Sequence, residues 1–147
     1  MQLEVIEFFL SQQRYGVESH YISQVHPLKE YTPVPCTPPF ILGIINVRGQ
    51  ILSVVNLQPL FALPEPKPLN PNYVLILRNE RMTFGLVADA VVGVRSVAPA
   101  RLRPPPDALA DNGREFLRGV TEQGVLILNT EELLSSRQLL VQEEVEG

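Results

Sequence analysis

Much of what chemistry usually needs is scarce in this chain. Its 147 residues include one cysteine, two histidines, two methionines, three aspartates and no tryptophan. A single cysteine, Cys36, excludes an intramolecular disulfide and any cysteine-based metal site. Cys36 is wedged in Val34-Pro35-Cys36-Thr37-Pro38-Pro39 with no cationic neighbour to depress its pKa, so it reads as a small loop residue rather than a nucleophile. His20 and His26 have no aspartate near them. No G-x-S-x-G, P-loop or G-x-G-x-x-G pattern occurs. Asp89 stands alone in an apolar run and reads as hydrogen-bonded structure.

Charge is also sparse, at 19% of residues, and Lys29 and Lys67 are the only lysines. Twelve basic residues against sixteen acidic ones give a net charge of −4, which does not invite nucleic acid. Arg95, Arg101, Arg103, Arg114 and Arg118 do cluster, but Asp107, Asp111 and Glu115 offset them and few aromatics interleave. Apolar runs stop short of the ~18 residues a membrane helix needs. The N-terminus carries Glu4 and Glu7 without a basic leader. The expectation is a cytoplasmic protein with no signal peptide and no direct membrane insertion.

What the chain does have is apolar residues, at 45%, and fourteen prolines. A chain this long can bury roughly 70% of its unfolded surface, so a self-sufficient core is within reach. The prolines argue for strands joined by stiff loops. Leu3–Leu10 reads as a strand, Tyr15-Gly16-Val17 begins a second, and Ile22 and Val25 mark a partly buried segment of open type. Pro27 to Pro39 reads as an extended connector. Ile44–Arg48 and Ile51–Val55 flank Gly49-Gln50, a hairpin signal with glycine leading a II′ turn. Leu57–Phe61 suits one helical turn, and Pro64 to Pro71 a second linker. Val74–Leu77, Thr83–Val87 and Val91–Val97 read as strands, Asp111-Asn112-Gly113 as a loop tip, and Phe116–Leu128 as a closing hairpin. Leu133, Leu134, Leu139 and Leu140 suit a terminal helix over about 130–141, capped by Asn129 or Thr130, before an acidic tail at 143–146.

The two halves can be laid over each other. Tyr15-Gly16-Val17 matches Phe84-Gly85-Leu86 at an offset of 69, and Phe40-Ile41-Leu42-Gly43 matches Phe116-Leu117-Arg118-Gly119 at an offset of 76. Short β-runs ending in Asn56 and Asn129 follow. One aromatic-Gly-apolar triplet would be commonplace; two anchors in the same order argue for a duplication. Two small barrels of about 70 residues each follow, with cores near 15–64 and 73–129 and strands free to exchange between them.

The run from Phe40 to Leu57, read as Gly43-x-x-Asn46-x-Arg48-Gly49-x-Ile51, resembles the CheW-like domain family of bacterial chemotaxis coupling proteins. Tyr15-Gly16-Val17, Phe84-Gly85-Leu86-Val87-Ala88-Asp89, Glu115–Val120 and Leu126–Asn129 resemble further blocks of that family in its order, over about residues 4–135. Ser53 stands where the family usually has Pro, Asn56 where it has Asp, and Gln24 where Glu is common. The resemblance implies an all-β protein of two intertwined five-stranded SH3-like barrels with a short C-terminal helix, in one domain over 1–147. It implies no catalysis and no cofactor. It also implies a stand-alone adaptor joining the cytoplasmic tip of methyl-accepting chemoreceptors to the regulatory domain of a CheA-type histidine kinase. A scaffold of a related pathway, such as surface or pilus motility, stays open beside it.

Bottom-up, Arg48 reads as a solvated turn arginine; the resemblance makes it a receptor contact, and its fork suits carbonyls and carboxylates at a helical tip. The resemblance sets Ile22 and Val91, at nearly equivalent repeat positions, in a receptor-facing groove, with plain core burial an equal alternative. Asn46 is expected to orient the hairpin by bonding backbone. Gly43 and Gly49 are expected to be structural, one for close packing and one for turn geometry.

Overall fold

The structure is a computed structural model that describes residues 1–61, 69–105 and 111–136. The expectations for Pro64, Pro66, Pro68, Asp107, Leu139, Leu140 and the acidic tail lie outside the described residues.

Among the described residues, ten strands carry the fold. They are β1 (Leu3–Leu10), β2 (Gln13–Glu18), β3 (Ile22–Pro27), β4 (Ile41–Val47), β5 (Gln50–Val55), β6 (Tyr73–Arg78), β7 (Thr83–Ala88), β8 (Ala90–Val97), β9 (Leu117–Val120) and β10 (Leu126–Leu128). Three short α-helices join them among the described residues: α1 (Gln58–Phe61), α2 (Asp111–Arg114) and α3 (Thr130–Leu134). The protein is mostly β, as composition and punctuation require. The open segment at Ile22–Val25 is a strand, and the loop tip expected at Asp111–Gly113 is instead a helical turn. Gly113 permits that turn to pack on α1: a Cβ there would lie 2.8 Å from the carbonyl oxygen of Leu60.

The strands form two five-stranded sheets, ordered β8-β1-β2-β10-β9 and β3-β6-β7-β5-β4. Replacing each strand of the first by the one five places away gives the second, with β6 for β1, β7 for β2 and β3 for β8. Each sheet therefore takes two strands from one half of the chain and three from the other. Pairing detail repeats as well. The parallel contacts Ile127↔Gly16 and Val54↔Gly85 correspond, and so do the bulges between Ile41 and Gly43 and between Ile127 and Leu128. Asn56 N–H donates to the Phe40 carbonyl and Asn129 N–H to that of Phe116, both at 2.7 Å.

Within each sheet the ladder does not run full circle. Single bridges, Thr32↔Ile44 and Arg103↔Val120, reach from the segment after one edge strand to the other edge strand. Gly43 and Gly119 let those segments close in, since a Cβ would fall 2.5 Å from the Thr32 carbonyl oxygen and 2.7 Å from that of Arg103.

One continuous apolar core joins the sheets. Phe8 and Tyr15 of the first sheet, Val54 and Leu75 of the second, and Phe61, Leu133 and Leu134 from the helices belong to the same cluster. Tyr15 stacks on Phe8 at 5.5 Å and on Phe61 at 5.8 Å. Leu133 and Leu134 are fully buried, worth about 1.5–3 kcal/mol each. Asn129 caps α3 by accepting from the Glu132 N–H, with Glu131 and Glu132 in the first turn. The helix ends at Leu134, because Ser135 leaves helical geometry.

Candidate functional site

The β4–β5 hairpin positions the residues singled out by the sequence. Val47 pairs with Gln50, so the two-residue loop is Arg48-Gly49, one place earlier than the expected Gly49-Gln50. Both loop residues have positive φ, 52° for Arg48 and 87° for Gly49, which is the I′ rather than the II′ pattern. The Asn46 side chain locks the loop by accepting from the Gly49 N–H at 2.8 Å. The Arg48 side chain is exposed and makes no ion pair or hydrogen bond among the described residues. A guanidinium on a pinned two-residue turn is a five-donor fork held out on a rigid stem. Beside it lies a cleft of about 320 Å³, with Ile45–Arg48 on one wall and His26, Pro27, Lys29 and Glu30 on the other.

The other two expected contacts lie on edge strands. Ile22 begins β3, the far edge of the same sheet in pairing order, opposite Leu77. Val91 occupies the twin position in the first sheet, on β8 opposite Phe8. Both are half-buried and pack against the core. Strand pairing thus sets Asn46 and Arg48 on one tip, Ile22 on another strand of that sheet, and Val91 in the other sheet. Gly43 is a strand residue pressed on Thr32, whereas Gly49 faces open space and is needed for its φ.

No catalytic constellation accompanies them among the described residues. Cys36 is exposed in a left-handed turn. His20 lies against the Tyr21 ring at 4.1 Å, and His26 Nε2 bonds the Gln24 side chain. Asp89 is structural, as its isolation suggested: it accepts from the backbone N–H groups of Ser11 and Asn70. The expected arginine cluster is divided. Arg118 pairs with Glu18 at 3.3 Å, while Arg95 and Arg101 turn toward a separate cleft with Glu7 and Arg14. Sequence reading passed over that cleft. Glu7 set in an apolar strand, with Arg14 just past a tight turn, is a diagonal cross-strand pair that would have pointed to it.

Comparison with known proteins agrees with the motif. Residues 4–138 match the profile of the CheW-like domain. The chain is 28% identical over 145 residues to a chemotaxis protein CheW of Treponema pallidum, covering 94% of this chain and 85% of that one. It is 30% identical over 128 residues to the protein FrzA of Myxococcus xanthus, covering 84% and 79%. Among solved structures it resembles the scaffolding protein TtCheW of Thermoanaerobacter tengcongensis, with a TM-score of 0.74, 26% identity and coverage of 94% and 91%. No helix among the described residues is long and apolar enough to cross a membrane.

Proposed function

The chain belongs to the CheW-like domain family, a family of non-catalytic chemotaxis scaffolds, and from that premise we propose that it couples the cytoplasmic tip of chemoreceptors to the regulatory domain of a CheA-type histidine kinase. The observation that carries the receptor half is the Arg48 turn. An unpaired guanidinium on a locked I′ loop, beside an open cleft, loses little entropy on binding and is worth most against carbonyls and carboxylates. Asn46 acts as its positioning residue, and Ile22 and Val91 supply apolar contact from the edge strands. The kinase half rests on the weakly charged β4–β5 hairpin, where Ile51 is 48% exposed, offered to the kinase's own CheW-like domain. Signalling then works through assembly, with differential contacts in two receptor states in place of chemistry. Each sheet is further read as a partly rolled barrel of the SH3-like kind, closed by its one bridge rather than by a full ladder.

Titration of the purified protein against a receptor-tip fragment and, separately, against the kinase regulatory domain tests this reading. Binding to both below tens of micromolar is expected, and binding to neither would overturn it. A second reading, a scaffold serving a kinase pathway other than swimming chemotaxis, is compatible with the similarity to FrzA. Pull-down from the source cell separates the two by which kinase comes down.

A further inference from the structure

The first sheet carries a cleft of about 830 Å³ between the ends of β1, β2 and β8, the segment 98–102 and the β9–β10 turn. Glu7 lines its floor at 6% exposure, held by Arg14 Nη2 at 2.7 Å and faced by Arg95 Nε at 3.8 Å. Arg14 Nε is buried without a hydrogen-bond partner. Arg101 stands on the wall, exposed and unpaired among the described residues. Val97, Ala98 and Leu102 make an apolar side.

The pseudo-twofold supplies a control for what the fold itself requires. The positions in the second sheet that correspond to Glu7, Arg14 and Arg95 are Ile76, Thr83 and His26, with the same cross-strand partners in register. Ile76 is buried in the apolar core. The same architecture is therefore built on the other side without a buried ion pair. A buried pair is often no more stabilising than apolar residues of similar volume, and an orphaned buried donor is a direct cost. Stability alone does not account for the cluster.

We propose that this cleft binds a small organic anion, its carboxylate or phosphate oxygens taken by the guanidinium groups of Arg14, Arg95 and Arg101 and its apolar body lying on Val97 and Leu102. Three arginines exceed the two carboxylates that line the cleft, buried Glu7 and exposed Glu122, and guanidinium forks match these oxyanions in geometry. The cleft's volume is within the range of small-molecule sites. This site is separate from the Arg48 turn and does not depend on the coupling role.

Calorimetric titration with inorganic pyrophosphate, citrate and phenyl phosphate at physiological salt tests it. Saturable binding of at least one is expected, with phosphate against carboxylate preference read from the first two and use of the apolar side from the third. Arg101→Ala, a surface change, should weaken binding about tenfold, the scale of one charged hydrogen bond. Glu7→Gln should tighten it severalfold by releasing Arg14. The double variant Glu7→Ile with Arg14→Thr, which copies the other sheet, should melt no lower than the parent and lose the anion. Arg48→Ala should leave it unchanged. No saturable binding by any probe, or binding indifferent to Arg101→Ala and Glu7→Gln, would overturn the proposal.

Discussion

Left-handed backbone costs a residue with a Cβ about 1–2 kcal/mol, and Arg48 adopts it at φ 52°. Glycine would suit that position, so the arginine stands there against local preference. Under the coupling reading, Arg48→Ala should weaken receptor-tip binding by about 1.5–3 kcal/mol while leaving kinase affinity intact. Arg48→Lys should restore only part, because an ammonium has no fork. Arg48→Gly separates function from folding: it should lose binding like alanine, yet keep or raise stability by up to about 1 kcal/mol. If melting temperature and both affinities fall together in all three variants, Arg48 is structural. Tyr21 offers a second check at this scale. Its hydroxyl is pushed up to about 12 by burial and then by its bond to Glu131. The folded value lies above the unfolded one, so this stabilisation is complete below pH 10 and is lost as pH rises toward 12. Urea midpoints should therefore fall over that window, and Tyr21→Phe should make the fall shallower. Some slope should remain, because burial also raises Tyr15. Equal slopes in parent and variant would refute the assignment.

At the scale of elements, glycine does two different jobs in one hairpin. Gly43 lies under the Thr32 carbonyl, with 2.5 Å left for a Cβ, so Gly43→Ala must push backbone aside and should cost about 1–3 kcal/mol. Gly49 has open space but φ +87°, so Gly49→Ala should cost about 1–2 kcal/mol through conformation alone. Chemical denaturation measures both. Backbone amide shifts tell them apart: Gly43→Ala should disturb Thr32 and its bridge to Ile44, whereas Gly49→Ala should confine its effect to Asn46–Gln50. Shift changes at Thr32 in the second variant, or none there in the first, would contradict this account. The turn also shows why the sequence signal slipped by one residue. Gly-X and X-Gly are both hairpin signals, and the strand twist selects the I′ form with its glycine second.

For the whole molecule, the sheet orders make the two halves interdependent. β1 and β2 pair with strands from the second half, and β6 and β7 with strands from the first. Neither half holds a complete sheet, and one core runs through both. Fragments 1–72 and 73–147 should each lack a dispersed amide spectrum alone and regain β structure when mixed. The intact chain should unfold in one transition, with amides of β1 and β6 exchanging at a common free energy. A folded spectrum from either fragment, or two separated transitions, would show that the sheets are independent.

Sequence by itself determined the local grammar, because its determinants are local. The Asn46-x-Arg48-Gly49 hairpin, the Asn129 cap and the strands flanking Gly16 and Gly85 follow from turn chemistry and β-branched runs a few residues long. It also marked the repeat, through two glycine anchors in the same order, and with the family motif it named the tip that carries Arg48. Tertiary structure alone decided which strands share a sheet. Alternating apolar residues specify a buried face but not a partner, so the exchange of β1–β2 and β6–β7 between halves has no signature in either segment. The same holds for the cleft around Glu7. Arg14 reaches it by a tight turn, but Arg95 and Arg101 come from the other half of the chain, brought there only because β8 pairs with β1.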